Sequence, residues 1–412
     1  MAGVDVVTFG CRLNAYESEI IRGAATEAGL ADTVIVNTCA VTAEAERQAR
    51  QSIRRARRER PEARIIVTGC AATLAPERYT ALDGVTAVLD NTAKLKTETY
   101  RPLSAPLPRD SEAVAPSPTS PETGAARVRG YLEVQHGCDH RCTFCIIPYA
   151  RGGSRSVPLT EIVARARVMA AAGCREIVLT GVDLTAYGAD LPEQPSLGGM
   201  VGDLLAAVPD VPRLRLSSLD PSEVDEPLWE LLGSEPRLMP HLHFSFQAGD
   251  DLILKRMKRR HTRAQALAAV QRARRLRPEV AIGADLIAGF PTESDDMFRR
   301  SLDLVEECGI AFLHVFPYSP RPGTPAARMP QLDGGLIRAR AAQLREAGMA
   351  AMEADANSRI GTENEVLVER PGRGRATFYT PVNLDPEIPA GAVVRTRLTG
   401  RRGPNMIGVP VA

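Results

Sequence analysis

Short apolar runs alternate with longer stretches of helical periodicity along most of this chain. Between residues 4 and about 90 the runs VDVVTF, TVIVN, RIIVT and VTAVL are separated by helical patterns at Glu17 to Ala28, Thr42 to Arg60 and Pro76 to Leu82. Such alternation predicts a small α/β domain with a parallel sheet over residues 1–100. The stretch 101–127, RPLSAPLPRDSEAVAPSPTSPETGAAR, is rich in Pro, Ser, Ala and Thr and has no period, which is the composition of an extended linker. From Val128 the alternation resumes with YLEVQ, EIVLTG, RLRLSS, HLHFSF, VAIGADLIAGF and AFLHVF, and helical patterns fall near 160–172, 201–207, 224–233, 262–276 and 294–308. Six βα units over 128–358 predict a partial barrel or a wide open sheet. Either one places its ligand site at the C-terminal ends of the strands. After a helix near 335–357, residues 359–412 alternate apolar and polar positions between Gly and Pro turns, as a small antiparallel β domain does. The fold class is therefore α/β, with a small β domain at the end.

Composition narrows this picture only slightly. With 412 residues and 44% hydrophobic content the chain can bury a substantial core in two or three domains. Lysine plus arginine (51) nearly cancels aspartate plus glutamate (50), so binding to nucleic acid has to come from local basic patches. MAGVDVVTFGC lacks a basic region followed by a long apolar stretch, and no apolar run reaches the length of a membrane span. A cytoplasmic location without membrane attachment is expected. The eight cysteines are too sparse for a disulfide scaffold and suit a reducing compartment.

Six of those cysteines fall in places that suggest chemistry. Cys11, Cys39 and Cys70 each follow an apolar strand, in VDVVTFGC, TVIVNTC and RIIVTGC. If the strands are parallel neighbours, the three thiols share one edge of the sheet and form a cluster of soft ligands. Buried cysteines also finish strands for purely structural reasons, but three at the same structural address favour a metal or iron–sulfur site. Cys138, Cys142 and Cys145, in HGCDHRCTFCIIP, follow the first strand of the larger domain. A structural zinc site would recruit His136 or His140 as its fourth ligand. A cubane held by three thiolates instead leaves one iron open to bind a substrate. Cys174 and Cys308 stand alone between a helix and the next strand and read as structural.

The spacing CxxxCxxC in GCDHRCTFC resembles the signature of radical S-adenosylmethionine (SAM) enzymes, with Phe144 where that family has an aromatic residue beside the adenine. FGCRLNAYESE, VNTCAVTAEAERQAR, TGCAA, GCDHRCTFCIIPYARG, LTGVDLTAYG and FPYSPRPGTPA are similar in order and wording to the radical SAM methylthiotransferase family. The terminal β domain resembles that family's RNA-binding TRAM domain, and the six βα units its partial radical SAM barrel. Two of these segments, GCRLNAYESE and LTGVDLTAYG, look most like the branch acting on N6-threonylcarbamoyladenosine next to the anticodon of tRNA. Sister branches act on isopentenyladenosine in tRNA or on an aspartate of a ribosomal protein.

The resemblance implies two 4Fe-4S clusters and SAM as cofactors. Cys138, Cys142 and Cys145 would carry the cluster that cleaves SAM to a 5′-deoxyadenosyl radical, which abstracts hydrogen from C2 of the adenine. Cys11, Cys39 and Cys70 would carry a second cluster that holds or donates sulfur, while a second SAM supplies the methyl group. It also implies a tRNA anticodon stem-loop as substrate, a reducing electron donor such as flavodoxin or ferredoxin, a sulfur donor, and action as a monomer. Further cofactor contacts are placed by strand ends: Gly181 and Asp183 for the methionine part, and Ser217, Gln247 and Asp285 for ribose or carboxylate. Ser217 and Asp285 could equally satisfy local backbone groups. Ala248 stands where the family more often has Ser.

Basic residues concentrate locally. Arg47, Arg50, Arg54, Arg57 and Arg58 recur at helical spacing opposite Ala45, Ala49, Ile53 and Ala56, a pattern that suits either a solvated face or phosphate contacts. LKRMKRRHTR at 254–263 is a second run. The final domain adds Arg370, Arg373, Arg375, Arg395, Arg397, Arg401 and Arg402, with Phe378 and Tyr379 as stacking surfaces for unpaired bases. A non-catalytic, zinc-dependent RNA-binding protein is the alternative from another class. It explains the arginines and cysteines but not the strand-end placement of both sets.

Overall fold

A computed structural model describes residues 3–104 and 128–411. The chain forms two compact units that are not simply consecutive in sequence: one takes the described residues up to Ser104 together with Cys145–Gly153, the other Val128–Phe144 and everything from Ser154 onward. The expected boundary near residue 100 is therefore crossed by a later segment.

In the first unit, strands β1 (Val4–Thr8), β2 (Thr33–Thr38), β3 (Arg64–Gly69) and β4 (Val85–Val88) make one parallel sheet in that order. The connecting helices are α1 (Arg12–Glu27), α2 (Ala43–Glu59), α3 (Cys70–Leu74) and α4 (Pro76–Thr80), and α5 (Thr97–Tyr100) follows. Val34, Val36, Ile65 and Val67 pack with Ala49 and Ile53 of α2 on one face, while Ile35 and Ile66 pack with Ile21 and Ala25 of α1 on the other. Burial on both faces explains why β2 and β3 read as unbroken apolar runs. Helix α6 (Ile147–Arg151) joins this core through Ile146 and Ala150. Two expectations change here. Helix α1 begins at Arg12, five residues before the expected Glu17, because Asn14 and Glu17 are inward polar positions that mask its apolar stripe. Of the expected linker, Arg101–Ser104 form a 3-10 turn, and the remainder lies outside the described residues.

The second unit opens with β5 (Arg129–Glu133) and a small antiparallel pair, β6 (Gln135–His136) and β7 (Arg155–Ser156). Then follow α7 (Leu159–Ala171), β8 (Glu176–Thr180), α8 (Leu197–Ala207), β9 (Arg213–Leu216), β10 (Ser218–Leu219) and α9 (Glu226–Ser234). The repeat continues with β11 (His241–Gln247), α10 (Asp251–Met257), α11 (Arg263–Leu276), β12 (Ala281–Ala288), α12 (Asp295–Glu307), β13 (Ile310–Pro317) and α13 (Gly334–Ser358). Strands β5-β8-β9 form one parallel sheet and β10-β11-β12-β13 another. A parallel bridge runs from Leu214 of β9 to Leu238, just ahead of β11. The run RLRLSSL thus changes partners at Ser217, whose N–H still reaches the Leu179 carbonyl at 3.0 Å. Phe244, Phe246, Ala284 and Leu286 pack into the apolar core, and Leu313 and Val315 lie against it. By strand alternation His243, Asp285 and His314 occupy the opposite, inner face.

Residues after α13 form β14 (Glu363–Arg370), β15 (Arg373–Ala376), β16 (Pro381–Asn383), β17 (Val393–Arg402) and β18 (Asn405–Pro410). They close into a barrel, β14-β15-β16-β18-β17, in which β16 and β18 are parallel and the other pairs antiparallel. This barrel is docked at the N-terminal ends of the larger domain's strands. Arg213, the first residue of β9, donates to the carbonyls of Arg375 and Glu365 at 3.0 and 2.9 Å. Tyr379 stacks on His241, the first residue of β11, with centroids 4.5 Å apart.

Candidate functional site

Parallel pairing of β1, β2 and β3 brings the loops carrying Cys11, Cys39 and Cys70 to one edge. Cys11 precedes α1, Cys39 lies between β2 and α2, and Cys70 opens α3. Gly10 has φ +97°, and a Cβ there would stand 2.8 Å from the Cys39 sulfur, so only glycine lets these two loops approach. Burial pushes the Cys39 thiol up to about 12, and the charges of Cys11 and Cys70 add to the effect, although the Val41 N–H opposes it. Burial raises the Cys11 thiol as well, and thiols held back from ionisation in this way suit a metal, whose charge replaces their protons. This donor set fits an iron–sulfur cluster with one open position.

The second set sits on the loop after β6. Cys138 Sγ lies 3.6 Å from Asp183 Oδ2, which His140 Nε2 approaches at 3.2 Å. Burial opposes ionisation of Cys142, but its hydrogen bond with His140 and the nearby Arg259 cation outweigh that and lower its pKa. Arg259 Nη1 donates to Cys142 Sγ at 3.6 Å and Nη2 to Asp220 at 2.6 Å. Thiolate character of this kind suits a metal ligand. His136 is turned away, its Nδ1 lying 2.8 Å from Glu133. Cys145 opens the segment that packs with the first unit.

The residues expected to touch SAM have different fates. Gly181 is required by close approach, since a Cβ would meet Gln135 Oε1 at 2.9 Å. That oxygen accepts from the N–H groups of Val182 and Asp183 at 2.9 and 2.8 Å, while Gln135 Nε2 donates to the Gly137 carbonyl at 2.8 Å. One glutamine thus fastens the loop after β8 to the cysteine loop, a role its place in YLEVQ did not disclose. Asp183 stands beside Cys138. Ser217 is 5% exposed and its hydroxyl is buried without a hydrogen-bond partner among the described residues, an orphan that a ligand's polar group would satisfy. Gln247 ends β11 at φ +69°. Phe144 packs against the apolar cluster that contains Ile253, Ile287 and Phe290.

Asp285 is placed differently from the strand end expected of it. It does not stand at a strand end, because β12 continues to Ala288. Its Oδ1 lies 2.9 Å from His243 Nε2 and 3.1 Å from His314 Nδ1. Burial would raise this carboxyl, but the two imidazoles outweigh it and hold it well below the usual carboxylate range.

The basic surfaces also divide. On α2, Ala49 and Ile53 are buried as the periodicity predicts, and Arg47, Arg50 and Arg57 pair with Glu44, Glu46 and Asp83. Arg54 and Arg58 remain exposed, along a groove of about 950 Å³ that also contains Arg55 and Arg57. Within the 254–263 run Arg260 pairs with Glu223, Arg263 with Glu307 and Arg259 with Asp220, while Lys255 and Lys258 are exposed. Phe378 and Tyr379 are not free for bases: Phe378 is 2% exposed beneath Arg359, and Tyr379 is stacked on His241. Cys174 and Cys308 lie in the apolar core.

Comparison with known families places these features in a class. Residues 132–305 match the Radical SAM superfamily, so the larger domain is a radical SAM domain, and residues 3–90 match Uncharacterized protein family UPF0004. TsrM, a radical SAM methyltransferase from Kitasatospora setae, shares the fold with a TM-score of 0.55 over 79% of this chain and 77% of that one, at 16% identity. The chain belongs, more narrowly, to the radical SAM methylthiotransferase family. Threonylcarbamoyladenosine tRNA methylthiotransferase MtaB of Rickettsia prowazekii is 45% identical over 96% of this chain and 94% of its own length. The enzyme of that name from Aquifex aeolicus is 33% identical over 94% and 98%. A tRNA-2-methylthio-N(6)-dimethylallyladenosine synthase of Paracoccus denitrificans is 32% identical over 99% and 96%.

Proposed function

We infer that this enzyme is a radical SAM tRNA methylthiotransferase that converts N6-threonylcarbamoyladenosine into its 2-methylthio derivative. The observation that carries this reading is the pair of three-cysteine sets, each following a strand and each leaving a cubane one open position. The branch follows from 45% identity to a threonylcarbamoyladenosine enzyme against 32% to a dimethylallyladenosine one. Its cofactors are SAM and two 4Fe-4S clusters, and its turnover draws on a reducing electron donor. When bound, these groups supply one-electron cleavage of the sulfonium and a store of sulfur, chemistry that no side chain here offers.

The chain's own residues hold and orient. In this proposal Cys138, Cys142 and Cys145 ligate one cluster and Cys11, Cys39 and Cys70 the other. His140 and Arg259 favour the thiolate form of Cys142 that ligation requires. Gln135 fixes the 181–183 loop so that Asp183 faces the cofactor, and Ser217 and Gln247 offer polar groups from neighbouring strands. Arg370, Arg373 and Arg402 of the small barrel and Arg54 and Arg58 of α2 are cations suited to tRNA phosphates. An anticodon stem-loop suits the chemistry, since an unpaired adenine can be turned into a barrel whereas a duplex base cannot. The proposal extends to a flavodoxin or ferredoxin as electron donor, a separate sulfur donor, action as a monomer, and domains at 1–100, 128–358 and 359–412 joined by a linker at 101–127.

Nucleoside analysis of bulk tRNA from a strain lacking the gene tests the substrate: loss of the methylthio form of threonylcarbamoyladenosine is expected. An unchanged profile, or loss of the isopentenyl counterpart, rejects it. In the purified enzyme Cys142→Ala abolishes SAM cleavage, whereas Cys39→Ala spares cleavage and stops sulfur insertion. Full methylthiolation by Cys39→Ala would sink the assignment of the second cluster.

A further inference from the structure

A buried ionic network behind the three N-terminal thiols has no part in that reading. Lys94 Nζ and Arg151 Nη1 both donate to Glu17, at 2.6 and 2.7 Å, and Arg151 Nη2 adds contacts to Glu17 at 2.9 Å and to Asn14 Oδ1 at 2.6 Å. The side chains of Glu17 and Lys94 are 0% exposed and that of Arg151 1%. The network reaches every cysteine loop. Asn14 Nδ2 donates to the carbonyls of Phe9 and Thr38, just before Cys11 and Cys39, at 2.7 and 3.0 Å. Asn91 donates to Cys70 Sγ at 3.8 Å and accepts from Lys94 at 2.8 Å. Two cations share one carboxylate, and their remaining charge is directed at sulfur: Arg151 interacts electrostatically with Cys70 and Cys11, and Lys94 with Cys70. A buried positive charge is tolerated only beside an anion. Glu17 supplies one such anion, and a cluster held by the three cysteines would supply the second.

We propose that Arg151 and Lys94, with Glu17 as their fixed counter-charge, are positioning residues that set the reduction potential of the N-terminal cluster by holding one net positive charge against it. The proposal rests on the reading of Cys11, Cys39 and Cys70 as cluster ligands. A reduced cluster carries one electron more than an oxidised one, so a fixed cation in a low-dielectric site stabilises the reduced form and raises the potential. The electron comes from the enzyme's reducing donor. No bond or proton is exchanged at these residues.

The full-length chain carrying Cys138→Ala, Cys142→Ala and Cys145→Ala, reconstituted anaerobically with iron and sulfide, isolates this centre for an EPR-monitored redox titration. In that background Arg151→Met lowers the potential by at least the equivalent of a tenfold change in the reduced-to-oxidised ratio, about 59 mV for one electron. Glu17→Gln raises it by a similar amount, and Arg151→Lys leaves it near the parent value. Opposite shifts from two changes in one network distinguish charge from loosened packing, which moves both the same way. Lys94→Gln, expected to lower the potential, carries the test if Arg151→Met does not fold. Shifts of the same sign, or none, overturn the inference and leave the cluster assignment standing. A parent chain that takes up no iron overturns the assignment and the inference together.

Discussion

Glu17 in the first unit and Glu176 in the second are both fully buried carboxylates gripped by two cations, yet their surroundings differ. Glu176 accepts from Arg129 Nε at 2.7 Å and from Arg215 at 3.0 and 3.1 Å. The guanidinium carbons of Arg129 and Arg215 lie 5.2 and 5.1 Å from the centroid of the Tyr379 ring, and that of Arg375 lies 4.6 Å from it. Tyr379 adopts φ +82°, a conformation that costs about 1–3 kcal/mol in a non-glycine residue and persists because the ring is fixed by its contacts. The surplus charge around Glu176 therefore meets an aromatic face and the Glu369 carboxylate, both supplied by the small barrel. Around Glu17 the surplus meets sulfur. A buried excess of positive charge is not functional in itself; what it faces decides whether it holds a fold together or acts on a ligand.

The comparison can be broken most forcefully at Glu176. Glu176→Ala leaves Arg215 buried without its partner, and a loss of about 3–5 kcal/mol in urea denaturation is expected. Near-wild-type stability would show that Tyr379 and Glu369 together offset both arginines.

Acid treats the two sites alike. Burial would raise both carboxyls, but Arg151 and Lys94 in one site, and Arg215 and Arg129 in the other, outweigh it and hold each at about 2. Since each folded value lies below the unfolded one near 4.5, the stabilisation is complete above that pH and is lost as pH falls towards 2. Each carboxylate contributes about 3 kcal/mol by this linkage. Thermal melts from pH 6 to pH 3 should show the decline, and Glu176→Gln should flatten part of it. A decline of unchanged slope in that variant would assign the acid sensitivity elsewhere.

The smallest effect is expected at the aromatic face. Tyr379→Leu keeps apolar bulk but removes the ring's attraction for cations, a loss of about 1–2 kcal/mol in urea denaturation. A larger loss would mean that the small barrel undocks when the ring is removed.

How much of this was legible depended on the range of the interactions involved. Strand-end cysteines were readable because an apolar run followed by Cys is a local signal, and parallel pairing did the rest. Alternation likewise disclosed the βα units of the larger domain and the terminal β domain, but not the break of the larger sheet into two arcs or the closure of the terminal strands into a barrel with one parallel pair. Lys94 and Glu17 are 77 residues apart, and Arg151 lies 134 from Glu17, so no window of sequence brings them together. Polar Asn14 and Glu17 on the inward stripe also hid the first turns of α1. The aromatic pair Phe378 and Tyr379 misled for the converse reason. An aromatic residue in a basic segment looks the same whether it stacks on a base or on the chain's own His241. Asp285 was misplaced by three residues because the apolar run after it still belongs to the strand.

Cys145–Gly153 lies in the middle of the sequence but packs with the first unit, where Ile146 and Ala150 fill its core and Arg151 completes its ionic network. The consequence concerns modularity. A chimera spliced at residue 127 would divide the protein where the sequence looks divisible, yet it would join one parent's Glu17 to the other parent's Arg151. Exchangeable parts of this enzyme are therefore discontinuous. A transplanted first unit has to bring residues 145–153 with it, and the loop of the second cysteine set inherits part of its ancestry from each donor.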